Sequence, residues 1–115
     1  MKIGTDIVSI NRIEKAIEKH GNIFKEKFLN ENEIALAKKS ASVAGFWAAK
    51  EAISKAFGCG IGAELSFHDI IIAKNSKGAP YFKLSKKANA KFPHTASSLS
   101  ISHDGDFAIA VVIIN

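Results

Sequence analysis

Glu51 and Lys55 stand one helical turn apart in the segment from Ala41 to Phe57, so a helix there sets a carboxylate beside an ammonium on one face. Such a pair can hold a divalent cation through the acid while the base neutralises a phosphate. The same spacing also makes an ordinary surface ion pair that contributes little. Asp6 is a carboxylate of another kind, because it interrupts an apolar segment beside Gly4, Ile7 and Val8. An ionised side chain there is penalised by desolvation unless a cation or hydrogen bonds compensate it. A capping or turn role would meet that need. So would magnesium, which takes one or two protein carboxylates and completes its octahedron with water and phosphate oxygens.

Other candidates are weaker. Gly58, Gly60 and Gly62 could expose backbone amides to a phosphate, but they follow a helix where a phosphate loop would open one, so helix termination is the simpler role. His103, beside the turn Asp104-Gly105-Asp106, can contact an anion or substrate, or simply finish a strand. His20, His68 and His94 have no evident partners. The single cysteine, Cys59, cannot form an internal disulfide, and no Cys or His cluster has zinc spacing.

The elements that must position these residues follow from pattern. Lys2 to Val8 alternates as a strand, with Ile3 and Ile7 on one side and Gly4, Asp6 and Val8 on the other. Ser9 caps a helix whose Ile10, Ile13 and Ile17 share a face, with Arg12 near its start and Gly21 at its end. A short turn pairs Phe24 with Phe28, and Asn30 with Glu33 caps a helix running to about Lys39. In the Ala41–Phe57 helix, Phe46, Ala49, Ile53 and Phe57 form an apolar stripe, and Trp47, Glu51 and Lys55 line the neighbouring face. Ile70, Ile71 and Ile72 read as a buried strand, Asn75 to Gly78 as a turn, and Tyr81 to Leu84 as the returning strand. A helix from about Ser85 to Lys91 stops before Pro93. Strands Ser98–His103 and Phe107–Ile114 close the chain through a tight turn. One strand, then helices, then antiparallel strands make a small α+β fold, read as a single domain over residues 1–115.

Composition narrows the function classes. The chain has 115 residues, 47% of them hydrophobic, enough for one modest core. No run approaches a membrane span, and the N-terminus lacks the zones of a signal peptide, so a cytoplasmic location and no membrane partner are expected. The charge of +5 favours anionic partners, phosphates or acidic proteins. Arg12 is the sole arginine and the lysines are scattered, which argues against a reader of nucleic acid. A small basic binding module without catalysis remains the competing class, and a non-catalytic assembly protein a third.

Four segments, Ile3-Gly4-Thr5-Asp6-Ile7-Val8, Trp47-Ala48-Ala49-Lys50-Glu51-Ala52, Ser54-Lys55-Ala56-Phe57-Gly58 and Gly60-Ile61-Gly62, together resemble the holo-acyl-carrier-protein synthases of the 4′-phosphopantetheinyl transferase superfamily. The likeness continues through Leu65-Ser66-Phe67-His68-Asp69-Ile70, Gly78-Ala79-Pro80-Tyr81 and Ser100-Ile101-Ser102-His103, nearly the whole chain. This resemblance implies transfer of 4′-phosphopantetheine from coenzyme A to a serine of apo acyl carrier protein, in support of fatty acid biosynthesis. It implies Mg2+ bound by Asp6 and Glu51, with Lys55 facing phosphate. It further implies Arg12 as a contact for the acidic carrier, Gly58, Pro80 and His103 as substrate-binding positions, with Pro80 and His103 near the nucleotide end, and a homotrimer with active sites at subunit interfaces. One departure stands out. Where the family often carries an arginine before the aromatic of the helix motif, this chain has Phe46.

Overall fold

In the computed structural model, which describes every residue from Met1 to Asn115, the first strand alternates as its sequence does. Strand β1 (Lys2–Ser9) buries Gly4 and Val8, holds Asp6 half-buried between them, and leaves Ile3, Thr5 and Ile7 on the exposed face. The Ser9 hydroxyl accepts the Arg12 amide at 3.3 Å and caps α1 (Ile10–His20); Gly21, at φ 59°, ends it. Helix α2 (Asn22–Glu26) brings Phe24 to 5.3 Å from Phe28, ring centre to ring centre. Asn30 and Glu33 form a reciprocal cap, each backbone amide donating to the other's side chain at 2.8 Å. The helix they start, α3 (Glu31–Leu36), does not run on to Lys39. Ala37 leaves the helical region (φ −101°, ψ 80°) and is fully buried, so the chain turns into the core there.

Helix α4 (Ser40–Ala56) is the central element, and its burial goes well beyond one stripe. It lies against α1 and against the sheet formed by β1, β4 and β5, while Phe28 and Phe67 close on Trp47 from another side. Lys50 is enclosed as a result. Its ammonium donates to the carbonyls of Phe28 (2.7 Å) and Phe67 (3.1 Å) and to Glu33 Oε1 (2.9 Å), while Glu33 Oε2 accepts the Ile72 amide at 2.8 Å. Burial lowers the Lys50 pKa and the Glu33 carboxylate opposes that shift. Every polar atom of this buried pair has a partner, the condition under which such a pair is tolerated.

The remaining strands make two sheets. β5 (Phe107–Ile114) runs antiparallel between β1 and β4 (Ser97–Asp104), so the first and last strands of the chain pair, with Asp6 opposite Ala110 and Ala110 opposite Ile101. Gly105, at φ 57°, opens the two-residue turn between β4 and β5. β2 (Ile70–Lys74) and β3 (Pro80–Leu84) form a separate hairpin. Of the three isoleucines expected to be buried in β2, Ile70 and Ile72 are, whereas alternation turns Ile71 outward. Helix α5 (Lys86–Lys91) begins at a Ser85 cap and stops short of Pro93, as expected. No helix is long and apolar enough to cross a membrane.

Small residues set the distance between α4 and its sheet. Ala108 and Ala110 on β5 and Ala48, Ala49 and Ala52 on α4 are all fully buried where the two elements pack, and Gly4 on β1 lies against the backbone of α4 itself. A Cβ added at Gly4 would overlap the Ala52 carbonyl oxygen and stand 2.9 Å from the Ala56 nitrogen. Neither atom can swing aside. Gly4→Ala is therefore expected to destabilise the protein by about 3 kcal/mol or more, the upper end of overpacking costs. Chemical denaturation measures this, and an unchanged midpoint would contradict the close approach.

Candidate active site

Gly4 lets β1 lie on α4, and two positions further along the same inner face stands Asp6. Its side chain is 16% exposed, and its Oδ1 accepts the Lys55 ammonium at 3.0 Å. Lys55 also donates to the Thr5 carbonyl at 3.3 Å. The i, i+4 partner of Lys55, Glu51, is half-buried beside them. Desolvation raises the Glu51 pKa above the ordinary carboxylate value; the charge of Asp6 adds to the rise and that of Lys55 opposes it. Two carboxylates thus feel one another across the strand–helix contact, with one ammonium paired to Asp6.

Both acids line a cavity of about 300 Å3, together with Arg12, Phe24 and Trp47. Trp47 is pinned from three directions: 5.0 Å from the Phe28 ring, 4.9 Å from Phe67 and 6.2 Å from Phe24, stacked. The cavity is therefore acidic at one end, aromatic along a wall, and open to Arg12 on the exposed start of α1. An ion held at the acidic end could engage a phosphate while the apolar wall takes a neutral chain.

Asp6, Glu51, Lys55 and Arg12 come together here; the remaining predicted site residues do not. Pro80 and His103 line a second cavity of about 220 Å3 with Ser42, Phe46 and Lys74, and the two cavities share no lining residue. Gly58 lines neither. At φ 85°, with its amide on the Lys55 carbonyl, it ends α4. Phe46 is buried, and the Lys74 ammonium lies 5.9 Å from its ring centre. Lys74 had no signal in a strand read only from Ile70 to Ile72; extending the alternation by one step would have found it. The aromatic clamp on Trp47 and the Lys50–Glu33 pair were likewise missed, since nothing local marks residues that meet across the fold.

The unassigned histidines take structural places. His68 Nε2 meets the Glu26 carbonyl at 2.8 Å, and His94 packs against Phe57 and Phe82. His20 is exposed at the end of α1. Cys59 is exposed in the glycine turn, where partial desolvation and then the charge of Glu64 raise its thiol pKa, disfavouring the reactive thiolate.

Comparison with known proteins identifies the family. The profile of the 4′-phosphopantetheinyl transferase superfamily matches residues 2–112. A holo-[acyl-carrier-protein] synthase of Sulfurovum sp. is 61% identical over 115 residues, covering 100% of this chain and 97% of the relative. The crystal structure of Helicobacter pylori holo-[acyl-carrier-protein] synthase in complex with coenzyme A superposes with a TM-score of 0.95 at 54% identity, over 98% of this chain and 99% of that one. A holo-(acyl-carrier-protein) synthase from Bacillus anthracis in complex with CoA (3′,5′-ADP) gives 0.82 at 44% identity, over 98% and 94%. Matched along nearly its whole length in sequence and in shape, the chain belongs to the 4′-phosphopantetheinyl transferase superfamily.

Proposed function

We propose that this chain is a magnesium-dependent holo-acyl-carrier-protein synthase of the cytoplasm, moving 4′-phosphopantetheine from coenzyme A to a serine of apo acyl carrier protein and so supporting fatty acid biosynthesis. The convergence of Asp6, Glu51 and Lys55 at the end of a half-apolar cavity, in a member of this family, is the observation that carries it.

Two carboxylates and one ammonium leave a net negative charge when all are ionised; desolvation first, and then the charge of Asp6, raise the Glu51 pKa. That donor set fits magnesium, which Asp6 and Glu51 would hold. When bound, the ion supplies Lewis acidity and charge neutralisation at a diphosphate. The side chains of the protein do the rest. Lys55, 53% exposed, brings a positive charge against the departing nucleotide phosphate as that charge grows. The carrier serine oxygen bonds to the phosphorus bearing the pantetheine arm, and the bond to adenosine 3′,5′-bisphosphate breaks. The serine proton passes to a carboxylate at this acidic end, Glu51 or Asp6, or to a water there. Phe24 and Trp47 wall the arm and exclude water, which favours transfer to serine over hydrolysis. Arg12, exposed on the same rim, meets the acidic carrier.

The separation of the two cavities is the reason to invoke more than one copy. The outer face of the three-stranded sheet exposes Ile3 and Ile7 on β1 and Phe107, Ile109 and Ile113 on β5, with Ile3 opposite Ile113 and Ile7 opposite Ile109. A contiguous apolar face of this kind marks a protein contact. Packed on it, neighbouring copies would form a trimer in which the Asp6–Glu51 cavity of one chain meets the Pro80–His103 cavity of the next.

Incubating the protein with coenzyme A, Mg2+ and apo carrier protein, and weighing the carrier, is the direct test; no mass gain would remove the function. Asp6→Asn and Glu51→Gln are expected to cut turnover by more than about 100-fold while keeping the native circular dichroism. Near-normal turnover by either would refute the metal assignment. Arg12→Ala should raise the KM for carrier about two- to tenfold and flatten its salt dependence with kcat nearly unchanged; an unaltered KM takes Arg12 off the docking surface. Light scattering is expected to give three times the chain mass, and a monomer mass at micromolar concentration would rule the assembly out.

A further inference from the structure

Lys50 is fully buried, and no step of the transfer uses its charge. Apolar side chains of similar volume would seat the helix at least as well as a buried ion pair, so stability alone does not explain its place. Its acceptors do. The ammonium donates to Glu33 Oε1 at 2.9 Å and to the carbonyls of Phe28 and Phe67 at 2.7 and 3.1 Å. Phe28 and Phe67 are also the residues whose rings close on Trp47, at 5.0 and 4.9 Å between centres. One ammonium therefore anchors the backbone on both sides of the clamp.

Phe28 lies in the stretch between α2 and α3, and Phe67 in the short helical turn Phe67–Asp69 before β2. These two segments hold each other through His68 Nε2 on the Glu26 carbonyl, at 2.8 Å, and through their rings, 5.8 Å apart. Only the Lys50 ammonium joins them to α4 by hydrogen bonds. Trp47 makes no hydrogen bond within the chain, so these rings and that of Phe24 decide where the indole stands. The indole in turn lines the cavity with Asp6 and Glu51. Resting on the transfer function above, we propose that Lys50 is a positioning residue: by holding the Phe28 and Phe67 carbonyls it keeps Trp47 as a fixed wall for the pantetheine arm, and so keeps water from taking the place of the carrier serine. A side chain locked by packing and by hydrogen bonds behind it loses less freedom when its ligand arrives. With a loosened wall, a water oxygen bonds to the phosphorus in place of the serine oxygen. The bond to adenosine 3′,5′-bisphosphate breaks as before, the two water protons end on the products, and free 4′-phosphopantetheine forms.

Glu33→Gln and the double variant Lys50→Met/Glu33→Gln separate this role from that of a structural ion pair, because both lack the pair. In Glu33→Gln the amine keeps protons for the two carbonyls whether or not it is charged, whereas the double variant loses those bonds without stranding a buried charge. Trp47, the one tryptophan of the chain, reports the wall by its fluorescence. Glu33→Gln is expected to match the wild type in emission wavelength, acrylamide quenching and product ratio. The double variant is expected to keep the native circular dichroism, with red-shifted and more readily quenched emission. Its transfer rate should fall by about 10- to 100-fold, the scale of a misplaced positioning group, and adenosine 3′,5′-bisphosphate should be released in excess of holo carrier. A folded double variant with either the wild-type emission or the wild-type product ratio would overturn the proposal. So would a Glu33→Gln variant altered as much as the double, since the cause would then be the ion pair; that comparison with the wild type keeps the proposal falsifiable should the double variant not fold. The fluorescence needs no turnover. A wild type that forms no holo carrier would sink the transfer function, and the emission of the variants would still decide whether Lys50 holds Trp47.

Discussion

The contact on which the site depends is between backbones. Asp6 and Glu51 lie on elements far apart in the chain, and they become neighbours because Gly4 has no side chain to hold β1 off the Ala52 carbonyl. Alanines at 108, 110, 48, 49 and 52 keep the rest of the sheet–helix interface thin. Moving the strand outward by the width of one methyl group would separate the two acids and draw Asp6 away from Lys55. The arrangement of the proposed site is thus a consequence of packing before it is one of charge.

The opposite side of α4 is fixed by different means. There the helix meets α3 and β2 through Lys50, whose ammonium is shared among two carbonyls and the Glu33 carboxylate. A fully partnered buried pair contributes little net stability compared with apolar packing; its contacts match the rotation of the helix seen here. That rotation also sets Trp47 between Phe28 and Phe67, with Glu51 next to it on the cavity. One face of α4 is therefore seated by the absence of side chains and the other by a charge network, and the side chains of the proposed site project from between them.

Local patterns were legible wherever neighbours in sequence are neighbours in space. The alternation of β1, the Ser9 and Asn30 caps, the Gly21 stop, the Ser85 cap and the closing hairpin all follow from residue type and spacing, and the structure has each of them. What failed depends on the tertiary surroundings. Helix α4 looked amphipathic because alanine carries little hydrophobic signal, yet most of its circumference is covered. Lys50 carried no local signal because its partners lie 17 and 22 residues away. The helix beginning at Glu31 ends at Leu36 because Ala37 is drawn into the core. For the site, spacing put Glu51 beside Lys55 but gave no sign that Lys55 reaches back to Asp6; that pairing depends on the Gly4 contact. The roles of the acids came from family likeness rather than from periodicity.

Electrostatically, the acidic end holds two carboxylates against one ammonium. Desolvation and the charge of Asp6 both raise the Glu51 pKa, and Lys55 offsets only part of this. A divalent ion shared by the two carboxylates would remove that conflict. Counting bound Mn2+ by electron paramagnetic resonance, with coenzyme A present, asks directly whether they share one. One ion per chain is expected for the wild type, with loss of that ion in both Asp6→Asn and Glu51→Gln. Undiminished binding in either variant would mean that the two acids do not jointly hold the metal.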